Sequence, residues 1–461
     1  MISYSKIFKK LYPLYNKCIG RDSYSIFLER LETQKLDLTE LKKVQLIKLK
    51  KVLINAEKNV PFYKRKFQEI GFDPSKLSSL DDFEKLDFYV TKEDLKDNVE
   101  DFVATNCDRS KLSWHKTGGS TGVPLNFATD SATDAASASA IIRALNWWDV
   151  ELGEKHAMFW GSPSHIERNI KDKFYKKWVQ FKDRCMNRLF ISNYDLNNGN
   201  MMKYYHQLEL FKPRYIRGMA SSLYVFSKYI IDNNLYFIHC KPVFIHSACE
   251  QLFDWQKVVI EEAFKRPVVN TYGLSELADI AYGAPCGNMH LLEEDVFVEL
   301  KPFQDGQSEI IATQLNNLMT PLIKYRTGDI AESLETRDCC SLNLRVIENI
   351  KGRAHDFIKS EDGKFIHGQL FTHLMVYEKG IEKYQIVQHS ITSIELVLVI
   401  NSNFDKAVSE TNLFISVKKY LGENVKIKFT YKDIIPLTIA GKHRWIISKI
   451  IIRDEDSGHF I

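Results

Sequence analysis

Apolar positions repeat at helical spacing through much of the first hundred residues. Leu46, Leu49, Leu53 and Ala56 recur three or four apart in a lysine-rich stretch, which puts one apolar stripe on a helix, and Asn59-Val60-Pro61 ends the run. In SSLDDFEKL, Ser78 and Ser79 are candidate N-caps with acidic residues in the turn that follows. From about residue 112 the pattern changes. Gly- and Ser-rich turns now separate short β-rich runs from helical ones, as in KPVFIHSAC, a helix, then RPVVNTYG. That alternation predicts strands feeding helices in a layered α/β domain. DVFVELK (295–301) and SEIIATQL (308–315), separated by PFQDGQ, predict a β-hairpin. Further on, IELVLVI (394–400) and VKIKFTY (425–431) read as strands, and Leu413, Phe414, Val417, Tyr420 and Leu421 between them mark a helical face. The expected organisation is a large α/β unit over 1–352, helical in 1–100, and a smaller α+β unit over 353–461.

Composition narrows the class. The 461 residues are 44% hydrophobic and 26% charged, enough for a large core and a second, smaller one. Sixty-three Lys and Arg against 59 Asp and Glu leave a net charge of +4 with no long basic run, so no nucleic-acid partner is expected. No apolar run reaches the roughly 18 residues of a bilayer span, so no transmembrane segment is expected. The opening MISYSKIFKKLYPLYNKC alternates aromatics with lysines and lacks the apolar stretch of a secretory signal; it reads as an amphipathic helix packed on its own domain. Eight cysteines in a chain this long make no disulfide framework, and the expected compartment is a reducing, cytoplasmic one.

The most informative string is HKTGGSTGVPL, 115–125. Gly118, Gly119 and Gly122 let backbone N–H groups turn inward as a nest, and Thr117, Ser120 and Thr121 add hydroxyl donors, as a loop gripping phosphate oxygens requires. The Walker A spacing is absent. Four further strings follow: TYGLSE (271–276), KYRTGD (324–329), IKGRAHDFI (350–358) and PLTIAGKHR (436–444). Together and in this order they resemble the motifs of the adenylate-forming superfamily, which includes acyl-CoA synthetases, peptide-synthetase adenylation domains and luciferases. The segment NVPFYKRKFQEIGFDPSKLSSLDDFEKLDFYVTKEDL (59–95) resembles the opening of its phenylacetate–CoA ligase branch, which includes CapK-like proteins associated with capsular polysaccharide synthesis. The resemblance covers nearly the whole chain. It implies a large N-terminal domain of the acyl-CoA synthetase type and a small mobile C-terminal domain.

The resemblance also implies roles. Loop 117–122 would hold the phosphates of ATP, Tyr272 would offer an aromatic face to the base, and the turn at Gly273 would let backbone approach the nucleotide, with Asn270 and Thr271 just before it. Glu276, a hard oxygen ligand, would steer Mg²⁺, and Asp329 would accept the ribose hydroxyls. Ala248, Cys249 and Glu250 match the segment lining the adenine, through backbone rather than side chains. Arg353 matches the hinge arginine, and Lys442 the catalytic lysine, whose ammonium would bridge the attacking carboxylate and the α-phosphate. His355 stands where the family's hinge carries Asp or Lys, with Asp356 beside it. That departure bears on the domain rotation between the two half-reactions.

A second constellation suits a different metal. Cys286, His290 and Cys340 are candidate zinc ligands, because some members of the branch carry a Cys/His zinc site in comparable places; the register puts Asp338 on the remaining position. HLLEED (290–295) imitates the His-x4-Asp signature of glycerolipid acyltransferases, but the family resemblance accounts for these residues without it. Trp147, Trp148, Phe159 and Trp160 are either core residues, the preferred reading, or the lining of an acyl pocket.

The expected activity is ATP-dependent activation of a small carboxylic or amino acid, followed by transfer to coenzyme A or a carrier pantetheine. Two alternatives stand beside it: direct transfer of the acyl or aminoacyl group to a polysaccharide precursor, and a catalytically silent nucleotide-binding scaffold. A homodimer is expected by analogy with the branch.

Overall fold

The computed structural model describes residues 4–116, 125–161, 170–193, 196, 198–249, 252, 254–302, 308–336, 340–350, 357–363, 365–367, 370–371, 374–375, 378–435 and 446–450. The N-terminal part is helical: α1 (Tyr4–Cys18), α2 (Ser23–Thr33), α3 (Leu38–Asn59), α4 (Pro61–Glu69), α5 (Leu80–Glu84) and α6 (Lys92–Asp97). Leu49, Leu53 and Ala56 of α3 are buried. Pro61 both stops α3 and starts α4, since its missing N–H is no loss in a first helical turn. Ser79, rather than Ser78, caps α5 by accepting the Asp82 N–H at 3.1 Å. Helix α1 lays Phe8 on Gly153, where a Cβ would come within 2.7 Å of the ring, and leaves Leu11, Leu14 and Tyr15 exposed. Among the described residues no helix is long and apolar enough to cross a membrane.

A short antiparallel hairpin, β1 (Ser113–Lys116) and β2 (Asn126–Thr129), brackets residues 117–124. Helix α7 (Ser131–Trp147) then leads into the predicted alternation. The strands are β3 (His156–Trp160), β4 (Arg188–Ser192), β5 (Tyr215–Gly218), β6 (Ile245–Ser247) and β7 (Val268–Leu274), and the helices α8 (Ile170–Cys185), α9 (Asn198–Phe211), α10 (Ala220–Asp232) and α11 (Asp254–Phe264). These strands pair in parallel. Antiparallel strands β8 (Ala278–Gly283) and β9 (Met289–Leu291) continue the sheet. The expected hairpin forms as β10 (Val296–Pro302) and β11 (Ser308–Gln314), joined by β12 (Tyr325–Ala331) in a three-stranded sheet. β13 (Ser333–Glu335) and β14 (Val346–Glu348) complete a nine-stranded sheet ordered β13-β14-β9-β8-β7-β6-β5-β3-β4.

Three consecutive carboxylates pin the N-terminal helices to this frame. Glu293 receives Arg345 Nε at 2.7 Å and Gln45 Nε2 at 2.7 Å. Glu294 receives Arg143 Nη1 at 2.5 Å, and Asp295 is paired with Arg30. Arg143 and Glu294 are both almost fully buried.

Toward the C-terminus, β15 (Phe357–Lys359) pairs with β16 (Phe365–His367), and a separate four-stranded sheet holds β17 (Ile381–Ser390), β18 (Ser393–Ile400), β19 (Lys426–Tyr431) and β20 (Ile446–Ser448). Helix α12 (Lys406–Leu421) closes a second core with Leu413, Val417 and Leu421, against Ile386, Leu396 and Leu398. Phe414 does not belong to that face. It is 41% exposed, under the Lys418 ammonium, because only the four-residue step from Leu413 stays on the sheet side.

Burial is the largest influence on the Glu294 carboxyl and acts upward, but Arg143, with Thr33 and Arg30, outweighs it and holds the group down at about 2. A depressed acid stabilises the fold above its ordinary value near 4.5 and loses that contribution as pH falls toward 2. The urea midpoint should therefore fall more steeply below pH 5 in the native protein than in Glu294→Gln. Arg143→Ala, which strands a buried carboxylate, should cost about 3–5 kcal/mol in the same assay at neutral pH.

Candidate active site

The large sheet changes direction at one place. β7 is parallel to β6 and antiparallel to β8, and TYGLSE spans the turn that follows. Ligands of α/β sheets bind outside the carboxyl ends of the parallel strands, and this turn leaves the carboxyl end of β7. Gly273 sits where nothing larger fits: a Cβ would lie 2.5 Å from the Ala278 carbonyl oxygen and 2.8 Å from Asp279 Cα. Beyond the turn, the Glu276 backbone carbonyl accepts from Gln314 Nε2 at 3.0 Å.

The tyrosine of each motif binds the carboxylate of the other. Tyr325, from KYRTGD, donates to Glu276 Oε1 at 3.0 Å. Tyr272, from TYGLSE, donates to Asp329 Oδ2 at 3.1 Å. All four side chains are buried. Burial, and then the Asp329 charge, pushes the Tyr272 phenol well above its ordinary value, so it remains a donor. The second carboxylate oxygen of Glu276 takes no hydrogen bond from the described residues, and Glu276 walls a cavity with Trp114, Phe127 and Thr320.

The remaining predicted positions divide cleanly. Asn270 and Thr271 lie on β7 beside β6, with Asn270 in register with Ser247. Ala248 is buried and its N–H donates to the Gly218 carbonyl at 2.9 Å. Cys249 is exposed, in the left-handed region at φ 69. Thr117, Gly118, Gly119, Ser120, Thr121, Gly122, Glu250, Arg353 and Lys442 lie outside the described residues, as do Asp338 and His355. Of the four aromatics, Phe159 is a core residue, and Trp147 and Trp148 pack on the core beneath α7. Trp160 instead carries the Arg217 guanidinium 5.6 Å from its ring centre.

Sequence reasoning missed several groups here. Tyr325 stood inside a motif already recognised, and its neighbour Asp329 took the attention. Gln314 and Asp279 belong to no motif, and only the fold brings them beside Glu276 and Gly273. His246 forms a buried relay, with Nδ1 2.8 Å from the Tyr282 hydroxyl and Nε2 on Thr271 Oγ1. Burial first, then Arg217, drives its imidazole well below the ordinary value, so the ring is neutral.

Away from this crevice, Cys286, His290 and Cys340 come together with their ligand atoms within 4.8 Å of one another. His290 Nε2 is 3.3 Å from Cys286 Sγ and 3.5 Å from Cys340 Sγ. Its Nδ1 lies 2.9 Å from the Leu344 carbonyl, an acceptor only, so Nδ1 carries the proton and Nε2 turns a lone pair toward both sulfurs. Ordinary zinc–nitrogen and zinc–sulfur bonds in a tetrahedron would separate these atoms by about 3.5 Å. The donor set therefore fits that ion.

Comparison with known proteins adds an independent finding. Residues 358–449 match the family described as the CapK C-terminal domain. Over 369 residues, 78% of this chain and 79% of the relative, the sequence is 30% identical to Protein CapK of Staphylococcus aureus. It is 24% identical over 395 residues to a phenylacetate–coenzyme A ligase of Escherichia coli, covering 78% of this chain and 81% of that one. Among solved structures, 2-hydroxyisobutyryl-CoA ligase in complex with 2-HIB-AMP and CoA, in the thioesterification state, superposes with a TM-score of 0.60 at 19% identity, covering 90% of this chain and 91% of that one. That likeness concerns the fold.

The contacts around Gly273 set a test of the turn. Gly273→Ala should destabilise the protein by about 1–3 kcal/mol in urea unfolding, because the obstructing atoms are backbone and cannot rotate away.

Proposed function

The chain belongs to the adenylate-forming family of CapK and the phenylacetate–CoA ligases, and from that premise we propose that it activates a carboxylic acid with ATP as an acyl-adenylate and passes the acyl group to a thiol. In the first half-reaction a carboxylate oxygen forms a bond to the α-phosphorus. The bond from that phosphorus to the bridging oxygen breaks, and pyrophosphate leaves with the electron pair. The observation that carries this reading is the reciprocal pairing of Tyr272 with Asp329 and of Tyr325 with Glu276, which ties two nucleotide-binding motifs into one rigid edge.

Within that reading Asp329 receives the ribose and Thr117–Gly122 the phosphates. Glu276, one oxygen of which Tyr325 leaves open, would hold Mg²⁺, and that ion would supply neutralisation of phosphate charge. Asn270–Gly273 and Ala248–Glu250 form the floor and wall for the base. Arg353 supports the closed form, and Lys442 neutralises charge developing between carboxylate and phosphate. These last two roles rest on the resemblance of GRAHDF and AGKHR. The boundary falls at 352/353, supported by the second core beyond it. The thiol is coenzyme A or a carrier pantetheine, and the coenzyme A ligases among the relatives above support the former. A setting in capsular polysaccharide assembly is supported by the CapK kinship alone, and a reducing, cytoplasmic compartment by eight cysteines that make no disulfide framework.

Cys286, His290 and Cys340 would hold a structural zinc ion in this reading, with Asp338 the remaining candidate ligand by sequence. The ion would tie the β8–β9 turn to the segment before β14. Purified protein should carry about one zinc per chain by elemental analysis, and Cys286→Ser with Cys340→Ser should lose it and lower the melting temperature.

The test of function is ATP–pyrophosphate exchange against a panel of carboxylic and amino acids. Exchange should depend on one class of acid and fall by at least about 100-fold in Lys442→Ala. Exchange that persists in that variant would remove Lys442 from the chemistry. ATP binding with no exchange for any acid would favour a silent scaffold.

A further inference from the structure

Helix α1 has two faces that the fold treats differently. Its inward face is fastened at several points. Phe8 lies on Gly153, Asn16 is buried, and the Tyr12 hydroxyl is 3.1 Å from Ser23 Oγ. The Lys9 ammonium meets Glu151 at 2.9 Å, and just past the helix Arg21 meets Asp134 of α7 at 2.7 Å. These contacts fix which way the helix is turned.

The outward face is apolar. Leu14, Tyr15, Cys18 and Ile19 follow Leu11 at three, four, seven and eight residues, which stacks all five in one stripe about 12 Å long. Ile19 still belongs to the helical run, since its N–H donates to the Tyr15 carbonyl at 3.1 Å. Leu11, Leu14, Tyr15 and Ile19 are between 44% and 62% exposed, and Cys18 is exposed with them. Single exposed apolar residues are ordinary, but a contiguous run rimmed by polar ones marks a contact with something outside the fold.

Charge identifies that contact. Five Lys and Arg and no Asp or Glu occur through Arg21, more positive charge than the net +4 of the whole chain. Lys9 and Arg21 are engaged inward, as above. Lys10 and Lys17 stand four before and three after Leu14, so both edge the stripe. Both are exposed, and neither forms an ion pair among the described residues. A second copy of the chain would bring the same cations against these, so charge opposes self-pairing. The stripe offers a protein partner little to orient by, because only the Tyr15 hydroxyl and the Cys18 thiol can hydrogen-bond. A lipid boundary asks only for an apolar face at the right depth, with cations beside it.

We propose that α1 docks the protein on an anionic membrane surface, with Leu11, Leu14, Tyr15 and Ile19 entering the acyl boundary and Lys10 and Lys17 meeting lipid phosphates. The docking does not depend on the chemistry proposed above. To test it, the full-length protein is sedimented with vesicles of phosphatidylcholine alone, or of phosphatidylcholine and phosphatidylglycerol in equal parts, without ATP or an acid. The mixed vesicles should bind at least about tenfold more tightly, and high salt should remove most of that difference. Leu11→Ser with Leu14→Ser should weaken binding to the mixed vesicles at least about tenfold. Lys10→Gln with Lys17→Gln should weaken it roughly 25-fold, about fivefold for each charge. Both variants should keep the native urea midpoint, since the four side chains are exposed. Equal binding to both vesicles, binding to neither, or binding that the leucine variant leaves unchanged would overturn the proposal. A dimer in analytical ultracentrifugation that the leucine variant dissolves would assign the stripe to a second copy and overturn it too. So would binding to cell membranes that protease treatment of those membranes abolishes, with none to the vesicles, which would assign it to a protein partner.

Discussion

The row Glu293-Glu294-Asp295 is the constraint on which the remaining architecture depends. It lies between β9 and β10, where the nine-stranded and three-stranded sheets part, and each carboxylate takes its partner from a different place. Arg345 comes from just before β14, Arg143 from α7 and Arg30 from α2, with Gln45 of α3 beside them. Helices α2, α3 and α7 are thereby fixed in rotation and height on the sheets. Buried ion pairs add little net stability compared with apolar packing, yet removing one partner is costly. What such pairs confer here is a single register for α7 against the sheet, and α7 lines a cavity with Asp279.

The frame then reaches the candidate site through the strands it holds. β11 begins from the clamped hairpin, and its Gln314 fixes the Glu276 backbone. β12 is held from the other side, where the Lys324 ammonium meets Glu299 at 2.5 Å and the Phe83 and Glu84 carbonyls at 3.2 Å each. Tyr325 therefore arrives at Glu276 from a strand anchored to the N-terminal helices, and Tyr272 meets Asp329 from the central sheet. The two hydroxyls act as struts between separately supported elements. That rigidity suits an active site whose chemistry is positioning and electrostatics.

The sequence disclosed local order and motif chemistry well, and long-range pairing hardly at all. The stripe in α3, the cap at Ser79, the hairpin of β10 and β11 and the β6–α11–β7 alternation all follow from rules spanning a few residues. TYGLSE and KYRTGD were legible as strings, but their cross-bonding was not, since Tyr272 and Asp329 are 57 residues apart. In HLLEED, His290 was legible as a candidate zinc ligand beside Cys286 and Cys340, but the three acidic residues gave no sign of the clamp they form. Folded, its histidine faces two thiols and its last three residues form the clamp, with partners as far as 265 residues away. Phe414 was misassigned because apolarity was read without asking which four-residue step it belonged to.

Three of the nine described non-glycine residues with left-handed backbone fall in or beside these motifs. Cys249, Ala278 and Lys324 have φ of 69, 64 and 49, left-handed values that side chains disfavour. Each adjoins one of the segments that converge on the crevice. A residue held this way costs on the order of 1 kcal/mol or more and persists only where its surroundings over-determine it. For Lys324 the surroundings are explicit. Its N–H donates to Thr313 Oγ1 at 2.8 Å, its carbonyl accepts from Val90 at 3.0 Å, and its side chain is wholly buried. A relaxed, extended backbone at Lys324 would turn Tyr325 away from Glu276, and one at Ala278 would open the turn that Gly273 closes. The strain is thus what aims the two motifs at each other, and the ionic clamp and the N-terminal helices are what hold it.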